Sequence, residues 1–288
     1  MILVTGAAGK TGRAVIRALR ASGLAVRALV HRPAQAQLVV DSGAQQVVAG
    51  DMRIETTMDQ AAQGIRAIYH ICPNMSPDEV TIGQVTMNAA RAAGVEHFVY
   101  HSVLHPQTEA MPHHWQKLHV EELLFESGLP FTILQPAAYM QNILASWDTI
   151  VEQGTYRVPY AVDTRLGMVD LEDVAAAAAI VLANAGHTGA IYELAGAEVL
   201  SQTAVARILE QQLGQPVRAQ PVPLEAWERG ARASGLGEYQ VDTLLQMFRY
   251  YERHGFWGNP HVLGWLLGRP PTTFTAFVER IIKEKRTC

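Results

Sequence analysis

Short apolar runs alternate with segments of helical periodicity through the first half of the chain. The runs at 2–5, 26–30, 45–49, 67–72, 97–101 and 131–134 are predicted to be β-strands. Several are continuously apolar, which is typical of strands that are buried on both faces of a parallel sheet. The segments at 13–21, 77–93 and 115–127, and a short one ending near 43, are predicted to be helices, each followed by glycine. This alternation predicts an α/β fold with a doubly wound parallel sheet.

The alternation loosens after residue 150. A strand is predicted at 155–160, a helix at 170–183, the last strand of the main sheet at 191–194, and a helix capped by Ser201 that runs to about residue 213. Beyond Pro216 the chain is predicted to be helical and is rich in aromatic residues. We therefore predict a main domain at 1–150, to which 165–195 returns, and a smaller, mostly helical lobe at 151–164 and 196–288. This lobe is expected to cover the carboxyl edge of the sheet, where open α/β folds bind ligands.

Composition and charge indicate the compartment of the protein and the kinds of partner it has. The net charge is −4 and no basic block stands out, so a nucleic-acid partner is not expected. No apolar stretch reaches the roughly 18 residues of a membrane span, and the apolar run at 1–4 is too short for a signal peptide. Two cysteines, Cys72 and Cys288, provide no disulfide framework, which favours a reducing compartment. We expect a cytoplasmic protein with no membrane partner.

A glycine turn follows the first strand and opens the first helix, in the spacing G-x-x-G-x-x-G. Gly6 permits the tight turn, Gly9 lets the backbone approach phosphate groups, and Gly12 lets the helix lie close to the strand. In this context the motif predicts a Rossmann dinucleotide site with the pyrophosphate at the helix N-terminus. A P-loop is excluded because it needs a glycine where Val4 stands. The residues predicted to contact the dinucleotide here are Gly6, Ala8, Gly9, Lys10, Thr11 and Gly12.

The residues after the second strand favour NADP(H) over NAD(H). An acidic residue there would bind the adenosine ribose of NAD, but the chain has His31 followed by Arg32. A cation suits the 2′-phosphate of NADP, with Lys10 as a second candidate; a solvated surface arginine is the alternative. Asp51 and Met52 follow the third strand, where a side chain reaches the adenine amino group, although Asp51 is equally placed to cap the next helix.

The chain resembles the NmrA-like family of atypical short-chain dehydrogenases/reductases. The resemblance rests on residues 3–12, 28–33, 50–51, 93–100 and 117–143. The family includes quinone and dye reductases, phenylpropanoid reductases, and regulators that bind dinucleotide without turning it over. The resemblance implies that His31 or Arg32 contacts the adenosine phosphate, and that Lys117 reaches the nicotinamide ribose. It also places Ile71, Cys72 and Pro73 over the cofactor, Ser102 near the nicotinamide, and Pro136 and Tyr139 beside nicotinamide and substrate.

The candidate catalytic groups are Lys117, His113 and Tyr139, and each has more than one interpretation. Conventional members of the wider superfamily use a Tyr-x-x-x-Lys pair, but here His113 stands four residues before Lys117. Lys117 is interpreted as a ribose ligand or as the acid/base group, with a solvent-facing helix lysine as the alternative. His113 is interpreted as a substitute proton donor or, preferably, as a loop residue, and Tyr139 as a hydroxyl donor or a pocket wall. Cys72 is expected to be a small buried apolar residue.

No metal site is predicted, although five histidines fall between His101 and His119, because their spacing matches no ligand motif.

The first functional hypothesis is an NADPH-dependent oxidoreductase that transfers hydride to a small conjugated acceptor such as a quinone. The alternative hypothesis, from a different class, is an NADP(H)-sensing regulatory protein that docks on a protein partner. A homodimer is left open.

Overall fold

The structure is a computed structural model that describes residues 1–287, so Cys288 lies outside the described residues. Two compact units are present. The first comprises Met1–Glu109, His113–Pro136 and Leu171–Glu193, and the second comprises Ala110–Pro112, Ala137–Asp170 and the chain from Leu194 onward. The predicted boundary at residue 150 therefore differs from the division by contacts, which assigns residues 137–150 to the second unit.

The strands and helices of both units have the following bounds. The strands are β1 (Ile2–Val4), β2 (Val26–Val30), β3 (Gln46–Ala49), β4 (Ala67–His70), β5 (His97–His101), β6 (Phe131–Pro136), β7 (Thr155–Val158), β8 (Arg165–Leu166), β9 (Ala190–Leu194), β10 (Leu200–Ser201) and β11 (Arg218–Pro221). The helices are α1 (Lys10–Ala21), α2 (Ala36–Val40), α3 (Glu55–Ala62), α4 (Glu79–Ala92), α5 (Pro112–Glu126), α6 (Trp147–Gln153), α7 (Leu171–Ala183), α8 (Gln202–Leu213), α9 (Leu224–Ala233), α10 (Glu238–His254), α11 (Pro260–Leu267) and α12 (Phe274–Thr287). Pro33–Gln35 and Met140–Ser146 are 3₁₀ helices.

A seven-stranded sheet organises the first unit, in the order β3-β2-β1-β4-β5-β6-β9. Val4 of β1 pairs in parallel with Ala28 on one side and with Tyr69 on the other. The strand order therefore reverses between β1 and β4, and this is the switch point at which doubly wound sheets bind ligands. The predicted doubly wound parallel sheet is confirmed.

Helices α1 and α7 pack against each other and bury apolar side chains in the first unit. Helix α1 buries Val15, Ile16 and Leu19, which recur at the spacing of a single helix face. Helix α7 buries nearly all of its alanine run at 175–179, and an ion pair of 3.2 Å joins Arg17 of α1 to Glu172 of α7. Small side chains on α7 suit close packing, as the sequence indicated.

The local predictions need two corrections. Helix α5 begins at Pro112, so His113 lies in its first turn and the preferred interpretation of His113 as a loop residue is wrong. Proline is well tolerated at the first helical position because that residue has no intrahelical N–H partner to lose. The segment beyond Pro216 is also not wholly helical, since it contains β11. This strand is short and mostly exposed, so it carries no hydrophobic period.

The second unit combines two small sheets with helices. Strand β7 pairs in parallel with β11, and β8 pairs with β10 in antiparallel orientation. The predicted cap is present, because the Ser201 hydroxyl accepts the Ala204 N–H at 3.2 Å. Over residues 1–287, no helix is both long enough and apolar enough to cross a membrane.

Candidate functional site

The glycine turn has the geometry that its spacing predicts. Gly6 has φ +57°, and a Cβ there would lie 2.8 Å from the Ile71 carbonyl oxygen. A Cβ on Gly12 would lie 2.6 Å from both the Ala7 Cα and the Gly6 oxygen. Glycine is therefore required at both positions for steric reasons, since each approaches backbone that cannot give way.

Gly9 is the N-cap of α1 and leaves the helix N-terminus open. Among the described residues, no side chain caps this end, and the first turn contains no acidic residue. The first N–H groups of a helix lack intrahelical partners, and the helix dipole adds positive potential there. The turn is therefore suited to receive an anion such as a diphosphate.

A cavity of about 400 Å³ opens beside this turn. Its wall comes entirely from the first unit and joins the turn to the ends of β2, β3 and β4. The lining residues are Gly6, Ala7, Ala8, Gly9, Leu29, Val30, His31, Gln35, Gly50, Asp51, Met52, Arg53, Pro73, Ser76, Asp78 and Ile82. Of the predicted cofactor residues, the cavity thus brings together Gly6, Ala8, Gly9, His31, Asp51, Met52 and Pro73. Lys10, Thr11 and Gly12 lie in the first turn of α1, next to Gly9.

At one side of the cavity a short turn follows β2. His31 lines the wall, and Arg32 is exposed beside it without being part of the lining. The Arg32 N–H donates to the Gln35 side-chain oxygen at 3.0 Å, and the Gln35 N–H donates to the Arg32 carbonyl at 2.9 Å. This closed turn fixes the Arg32 backbone and leaves its guanidinium at the surface.

Asp51 is bound tightly to Arg53, a residue that the sequence analysis did not single out. The Arg53 guanidinium donates to Oδ2 of Asp51 at 2.6 Å and to its Oδ1 at 3.1 Å, and also reaches Asp78 at 3.3 Å. These hydrogen bonds lower the pKa of Asp51 to about 2. Helix α3 has Ile54 as its N-cap, so the alternative interpretation of Asp51 as the cap of that helix is wrong.

Lys117 lies on α5 and is not a solvent-facing lysine, because its side chain is only 15% exposed. Its ammonium donates to Glu79 Oε1 at 2.8 Å and to the His101 carbonyl at 3.3 Å. It also lies 5.3 Å from the centre of the Tyr100 ring. Glu79 on α4 is a second residue that the sequence analysis missed.

His113 packs edge-on against His114 with ring centres 4.4 Å apart. Burial, with a smaller effect from His114, lowers the pKa of His113 to about 2. Its Nδ1 has no hydrogen-bond partner among the described residues. His113 is therefore neutral near pH 7, and a neutral imidazole is a poor proton donor.

The remaining predicted residues of the first unit are committed to internal contacts. The Ser102 hydroxyl donates to buried Glu121, which also accepts from the Gln135 amide at 2.9 Å. The Ile71 N–H donates to the Thr5 hydroxyl at 2.8 Å. Burial raises the pKa of the Cys72 thiol, so this cysteine is not a thiolate, as expected for a small buried residue.

Pro136 and Tyr139 lie on opposite sides of a unit boundary in the sequence, which falls between residues 136 and 137. Pro136 ends β6 in the first unit, and its carbonyl accepts the Leu104 N–H at 2.9 Å. Tyr139 belongs to the second unit, where it precedes a 3₁₀ helix and forms a β-bridge with Val169.

Of the two missed residues, Arg53 gave a local signal and Glu79 did not. Arg53 stands two positions after Asp51, and a basic residue so close to a carboxylate was a usable indication. Glu79 is 38 positions before Lys117, and only the fold brings the two together. Within residues 1–287, no group of three His, Cys, Asp or Glu residues is arranged to hold a metal ion.

Comparisons with known proteins agree with this geometry. The model of the NmrA-like family matches residues 1–280. The chain is 30% identical over 281 residues to an NAD(P)H azoreductase of Xenophilus azovorans, covering 97% of each chain. It is 31% identical over 283 residues to quinone oxidoreductase 2 of Escherichia coli, covering 98% of each chain. A crystal structure of the NADPH-dependent quinone oxidoreductase from Escherichia coli in complex with NADPH superposes with a TM-score of 0.85, at 31% identity, over 98% of this chain and 100% of that one.

Proposed function

Because the chain belongs to the NmrA-like family, we propose that it is an NADPH-dependent oxidoreductase that transfers hydride to a small conjugated acceptor such as a quinone. The observation that carries the proposal is the open N-terminus of α1 at Gly9, set at the switch point of the sheet and beside a cavity of about 400 Å³. The full-length similarity to an azoreductase and a quinone oxidoreductase supports the class of reaction.

The described residues fit a dinucleotide. The missing Cβ atoms of Gly6 and Gly12 allow the turn, and the amides that follow Gly9 face the side on which a diphosphate would lie. Asp51 and Met52 line the wall expected for the adenine, and His31 with Arg32 would hold the 2′-phosphate. Arg53 pairs with Asp51 and would reduce the repulsion between that carboxylate and a 2′-phosphate bound nearby.

When bound, the dihydronicotinamide supplies the hydride, and the work of the protein is to orient donor and acceptor. Reduction of a quinone also takes up one proton, which water can provide. Neutral His113 is not needed for this step, so the absence of the usual tyrosine is not disabling. Ser102, Lys117 and Pro136, all in the first unit, are assigned to the nicotinamide end of the proposed site. The role of Tyr139 stays a prediction.

The test is a titration of NADPH and NADH into the purified protein, followed by NADPH oxidation with a panel of quinones and azo dyes. We expect tighter binding of NADPH than of NADH, and turnover with at least one acceptor. Equal affinities for the two coenzymes, or a preference for NADH, would overturn the assignment of the 2′-phosphate site. Tight NADPH binding with no turnover would instead favour the regulatory protein. A cytoplasmic location, a homodimer and a protein partner stay predictions.

A further inference from the structure

Three side chains form a buried charged cluster in the first unit, hereafter the Glu79 cluster. Glu79 from α4, Tyr100 from β5 and Lys117 from α5 meet at one carboxylate oxygen. Both the Lys117 ammonium and the Tyr100 hydroxyl donate to Glu79 Oε1 at 2.8 Å. The Glu79 side chain is only 4% exposed.

Within the Glu79 cluster, the positive charge of Lys117 compensates the negative charge of Glu79, and the neighbouring titratable groups are neutral. The buried thiol of Cys72 lies against Glu79, and burial together with that carboxylate raises its pKa, so the thiol is neutral. Burial and the nearby Lys117 charge lower the pKa of His70 and of His101 to about 3, so both imidazoles are neutral as well. Lys117 is thus the cation that compensates Glu79, and removing either partner leaves an uncompensated buried charge.

The hydrogen-bond capacity of Lys117 limits its role. An ammonium has three donors and no acceptor. One N–H points to Glu79 and a second to the His101 carbonyl at 3.3 Å, which leaves one N–H in a direction fixed by the other two. A fixed N–H suits a hydroxyl ligand better than it suits proton transfer.

We propose that Glu79, held by Tyr100, is a positioning residue that aims the Lys117 ammonium at the nicotinamide ribose, and that Lys117 does not supply the proton. This inference rests on the proposed function, because it requires that the chain bind NADPH. It chooses between the two functional interpretations that the sequence left open for Lys117, and it adds two residues to the coenzyme site.

The experiment measures two quantities in each variant: the dissociation constant for NADPH, and the single-turnover rate of hydride transfer to a quinone at saturating NADPH. Glu79→Gln keeps the side-chain volume and removes the charge. We expect the dissociation constant to rise about tenfold and the saturated rate to stay within about twofold of wild type. Glu122→Gln is the matched control, because Glu122 is an exposed carboxylate of α5 that pairs with His119; it should change neither quantity.

A double-mutant cycle with Lys117→Met separates a positioning role from a merely structural one. If Glu79 acts through Lys117, then Glu79→Gln in the Lys117→Met background should change NADPH affinity by less than about twofold. If the losses of NADPH affinity in the two single variants multiply in the double variant, the two residues act independently and the proposal is overturned. A Lys117→Met protein that binds NADPH normally but transfers hydride slowly would also overturn it, since that is the behaviour of an acid.

Tyr100→Phe provides a second route if Glu79→Gln does not fold. It removes one hydrogen bond to Glu79 and keeps the ring, and we expect an increase of about threefold in the NADPH dissociation constant. Unchanged affinity in Tyr100→Phe would contradict the role given to Tyr100. Failure of wild type to bind NADPH would refute the proposed function itself, and is distinguished from failure of this inference by being seen before any substitution is made.

Discussion

Gly12 lies against Ala7 so closely that a Cβ on Gly12 would be 2.6 Å from the Ala7 Cα. The contact joins the first turn of α1 to the loop after β1, and it sets the position of the helix N-terminus relative to the sheet. The Ala7 Cα is a backbone atom, and a Cβ on Gly12 would be bonded directly to the backbone, so no side-chain rotation relieves the overlap. The position of the anion site therefore depends on this one missing methyl group.

Gly12→Ala should destabilise the protein by about 1–3 kcal/mol, because the added methyl group overlaps fixed backbone. The measurement is the shift in the denaturant midpoint. Gly230→Ala is the matched control: Gly230 lies in the interior of α9, and nothing surrounds the site of its Cβ within 4 Å. This control should be neutral or more stable by up to about 1 kcal/mol. Equal stability of the two variants would contradict the close approach.

Arg53→Gln should reduce the preference for NADPH over NADH by about tenfold. Without Arg53, the negative charge of Asp51 loses its compensating cation and repels the 2′-phosphate, whereas NADH lacks that group. Affinities for both coenzymes are measured by titration. Arg17→Gln is the control, because Arg17 forms an exposed ion pair with Glu172 and does not line the cavity. An unchanged ratio in Arg53→Gln would show that Asp51 and the 2′-phosphate do not interact.

Arg32→Ala should weaken NADPH binding by about tenfold to a hundredfold and leave NADH binding nearly unchanged, because a charge-assisted hydrogen bond to phosphate is lost. His31→Ala tests the neighbouring candidate, which lines the cavity wall. The ratio of the two coenzyme affinities identifies which side chain holds the phosphate. If neither variant changes the ratio, the 2′-phosphate is bound elsewhere or is not recognised.

Lowering the pH should destabilise the protein already below about pH 6.5, before the carboxylates titrate, because several histidines are buried. Burial lowers the pKa of His113 to about 2, of His70 and His101 to about 3, and of His114 to about 4. The unfolded chain binds protons at these histidines below about pH 6.5, and the folded chain does not, so the free energy of unfolding falls as the pH drops.

By pH 5 each of these histidines should cost about 1–2 kcal/mol relative to pH 7. The melting temperature is measured from pH 7.5 to pH 5, with His119→Gln as the control, since His119 is partly exposed and pairs with Glu122. That control should follow the wild-type curve. A melting temperature that stays flat over this range would contradict the account, because it would mean that these four histidines bind protons equally in the folded and the unfolded chain.

The sequence was sufficient for the sheet and the anion site, and insufficient for contacts between distant positions. Continuous apolar runs predict β1, β2, β4, β5 and β6 because these strands are almost wholly buried. Glycine spacing predicts the turn at Gly6, Gly9 and Gly12 because the steric demand is local. Strand β11 was missed because its pairing with β7 is a tertiary effect on a mostly exposed segment. The partnership of Glu79 with Lys117 was missed for the same kind of reason, since nothing in α4 marks one glutamate as buried.

The central claim, that the N-terminus of α1 binds the coenzyme diphosphate, is tested most directly by Gly9→Asp. Gly9 has φ −69°, which any residue adopts, and aspartate is a favoured N-cap, whereas the added Cβ would lie 3.3 Å from the Gly6 backbone oxygen. These effects oppose each other, so the stability should stay close to that of wild type. The new carboxylate would occupy the amides that the diphosphate needs and would repel it. We predict a melting temperature close to that of wild type together with at least about a hundredfold loss of NADPH affinity. A folded Gly9→Asp protein that binds NADPH as tightly as wild type would contradict the account.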